Sequence, residues 1–345
     1  MKNKEKQLCW ELLPKVSRSF ALCIRILPKP LNEQMMVSYL IYRVLDTIED
    51  SQAKNSAKGR LFAEFLSLLA KRKVNAEAVE ECRAKMLAKL TYTYEKDLLD
   101  SLPAVVAAYY SQPKEVRKHI LKRGRAMAHG MYEFQKRRIE TFGDQNRYSH
   151  YVAGVIGYLF NDLLHYNGII GAGLKARLRK YARHFGLALQ KVNILRDIAH
   201  DISANRRYWP EKLIAKYGLS YETLCRKESR EAALKILHEQ IENAKNYLES
   251  AMRYVMLLPE KALQVRMFCL IPLFMAIESY VKCVGNHELF DNGKVVKIDR
   301  EQVYEIVAKS RMWGSSNERI SKWFVSAMMK VSPEFERGYA KAIGY

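Results

Sequence analysis

Several features that define common classes of protein are missing from this sequence. The six cysteines form no CxxC pair and have no metal-type spacing with histidine, which argues against a disulfide framework and a zinc site. We interpret them as reduced thiols and therefore expect a cytoplasmic protein. The N-terminus lacks the apolar core of a signal peptide. The longest apolar run, Met267 to Ile277, has eleven residues and contains Pro272, whereas a membrane-spanning helix needs about 20 apolar residues.

Strand signals are also scarce. Apolar residues recur at intervals of three and four along most of the chain, and this pattern predicts an all-α protein. Because no repeat, low-complexity tract or flexible linker marks a boundary, we expect one helical domain over residues 1–345, with a basic amphipathic tail at about 316–345. The predicted elements include helices at about Leu31–Asp50, Asn75–Leu99, Tyr148–Tyr166 and Gly173–Ile202, and a loop at Thr141–Arg147.

Positive charge is in excess. There are 58 lysine and arginine residues against 37 acidic ones, a net charge of +21. Such an excess indicates a polyanionic partner, an anionic membrane surface or an anionic substrate, and charge alone does not choose among them. Basic clusters such as 114–125 carry no recognised nucleic-acid motif, so we expect no nucleic-acid partner. A basic helical nucleic-acid-binding protein remains the alternative from a different class, and a non-catalytic helical scaffold is a third.

The stretch Leu187 to Pro210 places polar side chains in an otherwise apolar helical pattern. Gln190, Asn193, Asp197 and Asp201 are spaced three, four and four apart, so they share one face of a helix. The other positions are mostly apolar, which predicts a buried helix whose polar stripe faces something polar. Two carboxylates one turn apart, with about 5–6 Å between their Cβ atoms, suit a hard cation.

The predicted helix Leu31 to Asp50 repeats this design. One face carries Tyr39, Arg43, Asp46, Glu49 and Asp50, and apolar residues cover the rest. Taken alone, this cluster is more typical of an exposed acidic helix end than of a binding site. Two such clusters together suit magnesium ions held over a diphosphate, because Mg²⁺ is usually bound by one or two carboxylates and by substrate phosphates.

Arginines accompany both clusters. Arg43, Arg196 and Arg206 are candidates for binding phosphate oxygens, since a guanidinium group donates two parallel hydrogen bonds. Each of them is alternatively a structural ion pair.

Five motifs in this order resemble those of the squalene and phytoene synthases, with the squalene synthases the closer match. They are VSRSF (16–20), YLIYRVLDTIED (39–50), YSHYVAGVIG (148–157), LQKVNILRD (189–197) and RRYWP (206–210). IPLFMAI (271–277) and VVKI (295–298) extend the likeness, which thus covers roughly Val16 to Arg300.

The resemblance implies an isoprenoid (terpenoid) synthase fold, in which helices enclose a cavity and two facing helices each carry an aspartate cluster. It implies that two farnesyl diphosphates bind with Mg²⁺, or Mn²⁺ in its place. They would condense head to head to presqualene diphosphate, and NADPH would then reduce this intermediate to squalene. The implied metal ligands are Asp46, Glu49, Asp50, Asp197 and Asp201, and the four aspartates among them are also the implied catalytic acids.

The resemblance also assigns roles to other side chains. Ser17, Arg18 and Ser19 match the diphosphate-binding segment, and Tyr39 is expected beside them. The remaining implied site residues are Phe20, Val152 and Leu187 as walls around a carbocation, Tyr148 as an aid to proton loss, and Gln190 and Asn193 as groups that order water at the second metal cluster. As isolated residues, Gln190 and Asn193 are more typical of hydrogen-bonded core amides.

The sequence departs from the family at two places. His200 occupies a position where squalene synthases usually have glutamate, so one anionic ligand is missing from the second cluster. Lys297 matches a family lysine near the reduced nucleotide, but the next family arginine is Asp299 here, followed by Arg300. We expect Lys297 and Arg300 to bind the NADPH phosphates, and ordinary solvated charge is the alternative.

Two further expectations concern product and location. A relative that omits hydride transfer would release dehydrosqualene or phytoene, or would trap the cation with water as hydroxysqualene. The product squalene is insoluble in water, so we expect the basic surface and the tail from Ser316 to Tyr345 to hold the protein at an anionic membrane surface. The sequence indicates no protein partner.

Overall fold

A computed structural model describes residues 2–51, 53–89, 93–333 and Phe335, and describes the main chain alone for residues 2, 3, 18 and 93–95. These ranges contain helices, turns and irregular segments and no strand. The all-α prediction is therefore confirmed.

Seventeen α-helices are present among the described residues. In chain order they are α1 (Lys2–Val16), α2 (Arg18–Ile26), α3 (Leu31–Asp50), α4 (Asn55–Ala70), α5 (Ala76–Leu87), α6 (Thr93–Asp100), α7 (Leu102–Tyr110), α8 (Lys114–Phe134), α9 (Phe142–Ser149), α10 (Val155–Tyr166), α11 (Ala172–Arg196), α12 (Ile198–Ser203), α13 (Glu211–Lys216), α14 (Arg230–Leu257), α15 (Leu263–Cys283), α16 (Arg300–Trp313) and α17 (Asn317–Val331). A π-helical turn, His150–Gly154, separates α9 from α10, and 3₁₀ turns occur at Lys227–Ser229 and His287–Phe290.

The chain forms two compact units. Unit 1 comprises residues 1–137 and 158–175, and unit 2 comprises residues 138–157 and 176–345. Each unit has its own core and is described separately below. The single-domain organisation expected from the sequence stays a prediction.

Helix α3 is the core helix of unit 1. Fourteen of its twenty residues are buried, and it packs against α1, α2, α4, α7 and α8. The hydroxyl of Tyr42 donates a hydrogen bond to the Ile120 carbonyl of α8 at 3.1 Å. Because apolar side chains cover most of α3, only one face of the helix remains for polar groups.

A buried ion cluster also lies in unit 1. The Asp162 carboxylate contacts Arg123 at 2.6 Å, Lys175 at 2.9 Å and His119 at 3.5 Å. Burial alone would raise the pKa of Asp162, but the hydrogen bonds from His119, Lys175 and Arg123 bring this pKa well below its usual value. Asp162 is therefore a carboxylate that is neutralised by several partners.

Helix α15 is the core helix of unit 2. It is the one helix of the described residues that is long and apolar enough to cross a membrane, and 78% of its most apolar window is buried inside the structure. It packs against α14, α16 and α17. Helix α17 turns Ile320, Phe324 and Met328 inward. The apolar face of the predicted amphipathic tail is thus used inside the unit as far as Val331, and residues 334 and 336–345 lie outside the described residues.

Helices α10 and α11 approach closely within unit 2. A Cβ atom placed on Gly157 would lie 1.9 Å from the Ala182 carbonyl oxygen, and one on Gly186 would lie 2.4 Å from that of Ala153. Only a glycine at position 157 therefore leaves room for the opposing main chain.

Several predicted boundaries are wrong. The helix predicted at Asn75–Leu99 is divided into α5 and α6. The loop predicted at Thr141–Arg147 is instead the start of α9, where the Thr141 and Asp144 side chains form a capping box. The threonine followed three residues later by an acid was the available signal.

Candidate active site

The acidic face of α3 is as the sequence predicted. Between Val37 and Asp50, the residues that are not buried are the five predicted ones, Tyr39, Arg43, Asp46, Glu49 and Asp50. Arg43 and Asp46 are each one-third exposed and form an ion pair at 3.5 Å. The stripe of carboxylates therefore lies along the accessible side of a core helix.

Helix α2 brings the VSRSF segment to this face of α3. Ser17 caps α2 by accepting a hydrogen bond from the Phe20 main-chain N–H at 3.2 Å. The ring of Tyr39 stacks on that of Phe20 at 6.0 Å, and its hydroxyl donates to the Val16 carbonyl at 3.5 Å. Burial raises the pKa of Tyr39, while the Ser17 hydroxyl and Arg43 oppose that shift.

The two other residues of this segment differ in placement. Ser19 is exposed, and the Arg18 side chain lies outside the described residues. The structure thus brings Ser17, Phe20 and Tyr39 together and leaves the roles expected for Ser19 and Arg18 as predictions.

The second acidic helix is broken where the sequence predicts it to be continuous. Helix α11 ends at Arg196, and α12 begins after Asp197, whose φ and ψ are −96° and 15°. Adjacent side chains do not face each other on a regular helix, yet Arg196 binds the Asp197 carboxylate through two hydrogen bonds of 2.7 Å. A local departure from helical geometry allows this pair to form.

Asp197 and Asp201 nevertheless remain one turn apart. The main-chain N–H of Asp197 donates to the Asn193 carbonyl at 2.9 Å, and that of Asp201 donates to the Asp197 carbonyl at 2.8 Å. Asp201 is 7% exposed, and Asn193 and His200 are exposed. The stripe is therefore retained through the break, although its members differ in burial.

The loop after α12 returns an arginine to the acidic helix. Asn205 adopts a left-handed conformation with φ 56°, which asparagine tolerates better than most residues. The chain then reverses so that Arg206 Nε donates to the Asp201 carboxylate at 3.1 Å. Trp209 is fully buried, and its indole N–H donates to the Ile194 carbonyl at 3.0 Å. Each of the three predicted arginines thus forms an ion pair with an acid of its own cluster.

An aromatic pair lies beside this loop. Tyr148, on the last turn of α9, is 4% exposed, and its ring stacks on Tyr208 with centroids 4.7 Å apart and an interplanar angle of 17°. Val152 is half-buried in the π-helical turn, and Leu187 is buried on α11. The sequence motif contained Tyr208, but its contact with Tyr148 was not foreseen.

The oxygen donors of the two clusters fit magnesium in kind. Among the described residues there is no group of three or more His, Cys, Asp or Glu side chains placed to hold a metal ion. Mg²⁺ usually takes only one or two protein carboxylates and completes its shell with water and substrate phosphates. Each cluster already places a cation, the arginine, against a carboxylate. The carboxylates of Asp46, Glu49 and Asp50 in unit 1, and of Asp197 and Asp201 in unit 2, are thus of the type that magnesium binds, and their role as ligands stays a prediction.

The predicted nucleotide loop has a mixed character. Lys297 and Arg300 are exposed cations, which suits a phosphate by charge. Asp299 caps α16 by accepting the Gln302 main-chain N–H at 2.8 Å, and Lys282 lies 3.4 Å from it. The departure at Asp299 thus has a structural purpose, and it also places a negative charge at the N-terminus of α16.

One buried cation, Lys191, was not predicted from the sequence. Lys191 is 4% exposed, and its ammonium group donates to Gln145 Oε1 and Asn243 Oδ1, both at 2.7 Å. Burial lowers the pKa of Lys191 to about 7. The signal was present in the sequence, because helical spacing puts Lys191 on the apolar face with Leu187 and Leu195.

Comparisons with known proteins identify the fold. The chain superposes on a solved structure of TcSQS in complex with a ligand with a TM-score of 0.82 and 26% identity, over 95% of this chain and 91% of that one. It also matches a dehydrosqualene synthase in complex with a ligand with a TM-score of 0.61 and 19% identity, over 90% of this chain and 97% of that one. The fold is thus the all-α isoprenoid synthase fold, as the sequence resemblance implied.

Sequence comparison gives the family. The family model "Squalene/phytoene synthase" matches residues 13–302. "Squalene synthase" of Dictyostelium discoideum is 32% identical over 298 residues, which cover 86% of this chain and 68% of that protein. "Squalene synthase BSS" of Botryococcus braunii is 30% identical over 305 residues, covering 87% of this chain and 63% of that protein. The chain belongs to the squalene/phytoene synthase family, and it spans less than two thirds of the length of the Botryococcus relative.

Proposed function

We propose that this chain is a squalene synthase, a prenyltransferase that joins two farnesyl diphosphates head to head into presqualene diphosphate and then reduces this intermediate to squalene. The observation that carries the proposal is the pair of carboxylate stripes, each with an arginine bound to it, in a chain of this family. The names of its relatives, which are squalene synthases, support squalene as the product.

The first step is loss of diphosphate from one substrate. Bound Mg²⁺ or Mn²⁺ would neutralise the charge that develops on the leaving diphosphate. Asp46, Glu49 and Asp50 in one unit, and Asp197 and Asp201 in the other, would hold these cations. Arg43, Arg196 and Arg206 would turn from their carboxylates to phosphate oxygens, where their fixed donors stabilise charge in the transition state. Ser17, Arg18 and Ser19 would add hydrogen bonds to the same group.

The second step joins the two chains. The allylic cation is attacked by the double bond of the other farnesyl group, and loss of a proton then closes the cyclopropane ring. Phe20, Tyr39, Val152 and Leu187 would exclude water, which otherwise captures the cation. Tyr148 would pass the released proton to the departed diphosphate, and Gln190 and Asn193 would order water near the second metal cluster.

The reductive step is proposed on a narrower basis. NADPH would supply hydride to the second carbocation, and Lys297 and Arg300 would bind its phosphates. Incubation with farnesyl diphosphate and Mg²⁺, with and without NADPH, tests this step. Squalene only in the presence of NADPH supports it. A product that NADPH leaves unchanged contradicts it and indicates a dehydrosqualene, phytoene or hydroxysqualene synthase.

Substitution of the acids tests the metal sites. Asp46→Asn, Asp50→Asn, Asp197→Asn and Asp201→Asn should each reduce diphosphate release by about 10²-fold or more while helical content is retained. Asp100→Asn is a matched control, since Asp100 pairs with Arg83 at 3.3 Å on an exposed part of unit 1. A near-normal rate in any one variant removes that acid from the proposed ligand set.

We also propose peripheral contact with anionic lipid. Because α17 buries its apolar face, this contact rests on the exposed Arg319, Lys322 and Lys330 of that helix. Sedimentation with phosphatidylserine vesicles should retain the protein at low salt and release it at high salt. Equal recovery with neutral and anionic vesicles would refute the contact.

A further inference from the structure

Lys191 lies at the centre of a polar network in unit 2. The amides that it binds come from two other helices, Gln145 from α9 and Asn243 from α14. The rings of Phe142 and Tyr247 have centroids 5.5 and 5.2 Å from its ammonium nitrogen. No carboxylate among the described residues lies within ion-pairing distance of it, and these four contacts of the amine are all with neutral groups.

Gln145 connects this lysine to the loop after α12. Its carbonyl oxygen accepts from Lys191, so its amide nitrogen is turned the other way and donates to the Tyr208 carbonyl at 3.0 Å and to Gln240 Oε1 at 3.2 Å. An amide has one acceptor end and one donor end. The hydrogen bond from Lys191 therefore fixes which end of Gln145 faces Tyr208.

Tyr208 in turn stacks on Tyr148, the residue to which we assign proton transfer. Gln145 and Tyr148 are one turn apart on α9, and both are buried. Gln145 thus lies one turn from Tyr148 on α9, and it also binds the main chain of Tyr208, whose ring packs on that of Tyr148.

We propose that Lys191 and Gln145 are positioning residues that hold Tyr208 against Tyr148. In this position the Tyr148 hydroxyl can accept the proton lost during ring closure. This inference rests on the proposed function. It adds two residues that act on the reaction through Tyr208 and Tyr148. If Tyr208 is not held against Tyr148, ionisation of farnesyl diphosphate would still proceed, but water would reach the cation. Farnesol and a proton would then form beside free diphosphate.

A comparison of three variants separates positioning from simple stability. Lys191→Met removes the donor that orients Gln145. Gln145→Glu keeps an acceptor for Lys191 but loses the amide donor to Tyr208. Asn243→Asp also places a carboxylate against Lys191 but leaves the link to Tyr208 intact, so it is the matched control for Gln145→Glu. For each protein, diphosphate release, the coupled C30 product and farnesol are measured, and folding is checked by circular dichroism.

We expect Lys191→Met and Gln145→Glu to raise the ratio of farnesol to coupled product by about tenfold or more, with less change in diphosphate release. Asn243→Asp should stay within about twofold of the unaltered chain, since it disturbs no group that contacts Tyr208. A structural defect alone would lower all products in proportion and leave the ratio unchanged. If Lys191→Met fails to fold, the contrast between Gln145→Glu and Asn243→Asp still decides the question.

Equal ratios in Gln145→Glu and Asn243→Asp would overturn this inference while leaving the proposed function intact. Absence of diphosphate release from the unaltered chain with farnesyl diphosphate and Mg²⁺ would instead overturn the proposed function.

Discussion

Replacement of Gly157 by alanine should destabilise unit 2 substantially. The added Cβ atom would lie 1.9 Å from the Ala182 carbonyl oxygen and 2.7 Å from its carbon, whereas real Cβ contacts essentially never fall below 3.0 Å. The obstacle is the main chain of α11, which cannot rotate aside as a side chain can. The two helices must therefore move apart by roughly 1 Å at this point.

The size of the effect follows from two opposing contributions. Overpacking a core typically costs about 1–3 kcal/mol, and alanine in place of glycine favours a helix by up to about 1 kcal/mol. Because the required shift is large and main chain opposes main chain, we expect the upper end of the range, a net loss of about 2–3 kcal/mol.

Gly173→Ala is the matched control, since Gly173 also lies in a helix and an added Cβ there meets nothing within 4 Å. It should leave stability unchanged or raise it by up to about 1 kcal/mol. Urea titration followed by far-UV circular dichroism measures both variants. A Gly157→Ala variant as stable as the unaltered chain would refute the close approach of α10 and α11.

Two further predictions concern buried charges. Asp162→Asn should lower the free energy of unfolding by about 3–5 kcal/mol, because it leaves the buried Arg123 without its carboxylate. Since the pKa of Asp162 is lowered in the folded protein, the stability that Asp162 contributes is present above about pH 4 and is lost on further acidification. Identical acid titrations of the variant and the unaltered chain would contradict this. Lys191, with a pKa lowered to about 7, binds more protons when unfolded, so stability relative to Lys191→Met should rise from pH 7 to 8.5 by up to about 1.4 kcal/mol per pH unit. Urea titrations at four pH values measure the difference, and a flat difference would contradict the lowered pKa.

The sequence was most informative where helical periodicity and burial agree. On α3 the alternation between apolar residues and the five polar ones predicted which side chains are accessible, because a core helix has only one polar face. The break at Asp197 was not predictable in this way. It depends on a bond between neighbouring side chains, Arg196 and Asp197, whose residue types fit a regular helix equally well.

Tertiary contacts account for the other differences. The stack of Tyr148 on Tyr208 joins residues sixty positions apart, and no local pattern encodes such a distance. Lys191 could be predicted in part. The sequence shows its place on an apolar helix face, but its partners Gln145 and Asn243 come from helices distant in sequence. The membrane role expected of the amphipathic tail assumed that its apolar face is accessible, whereas α17 packs that face into unit 2.

The bond between Arg196 and Asp197 has a consequence for the order of events at the second cluster. Under the proposed function, a cation that binds Asp197 competes with a guanidinium group held by two hydrogen bonds of 2.7 Å, and an arginine released in this way needs a new acceptor. A diphosphate supplies one. Metal ion and diphosphate should thus bind with positive thermodynamic coupling, each raising the affinity for the other by the same factor. Without a ligand, the Arg196 guanidinium group balances the charge of the Asp197 carboxylate.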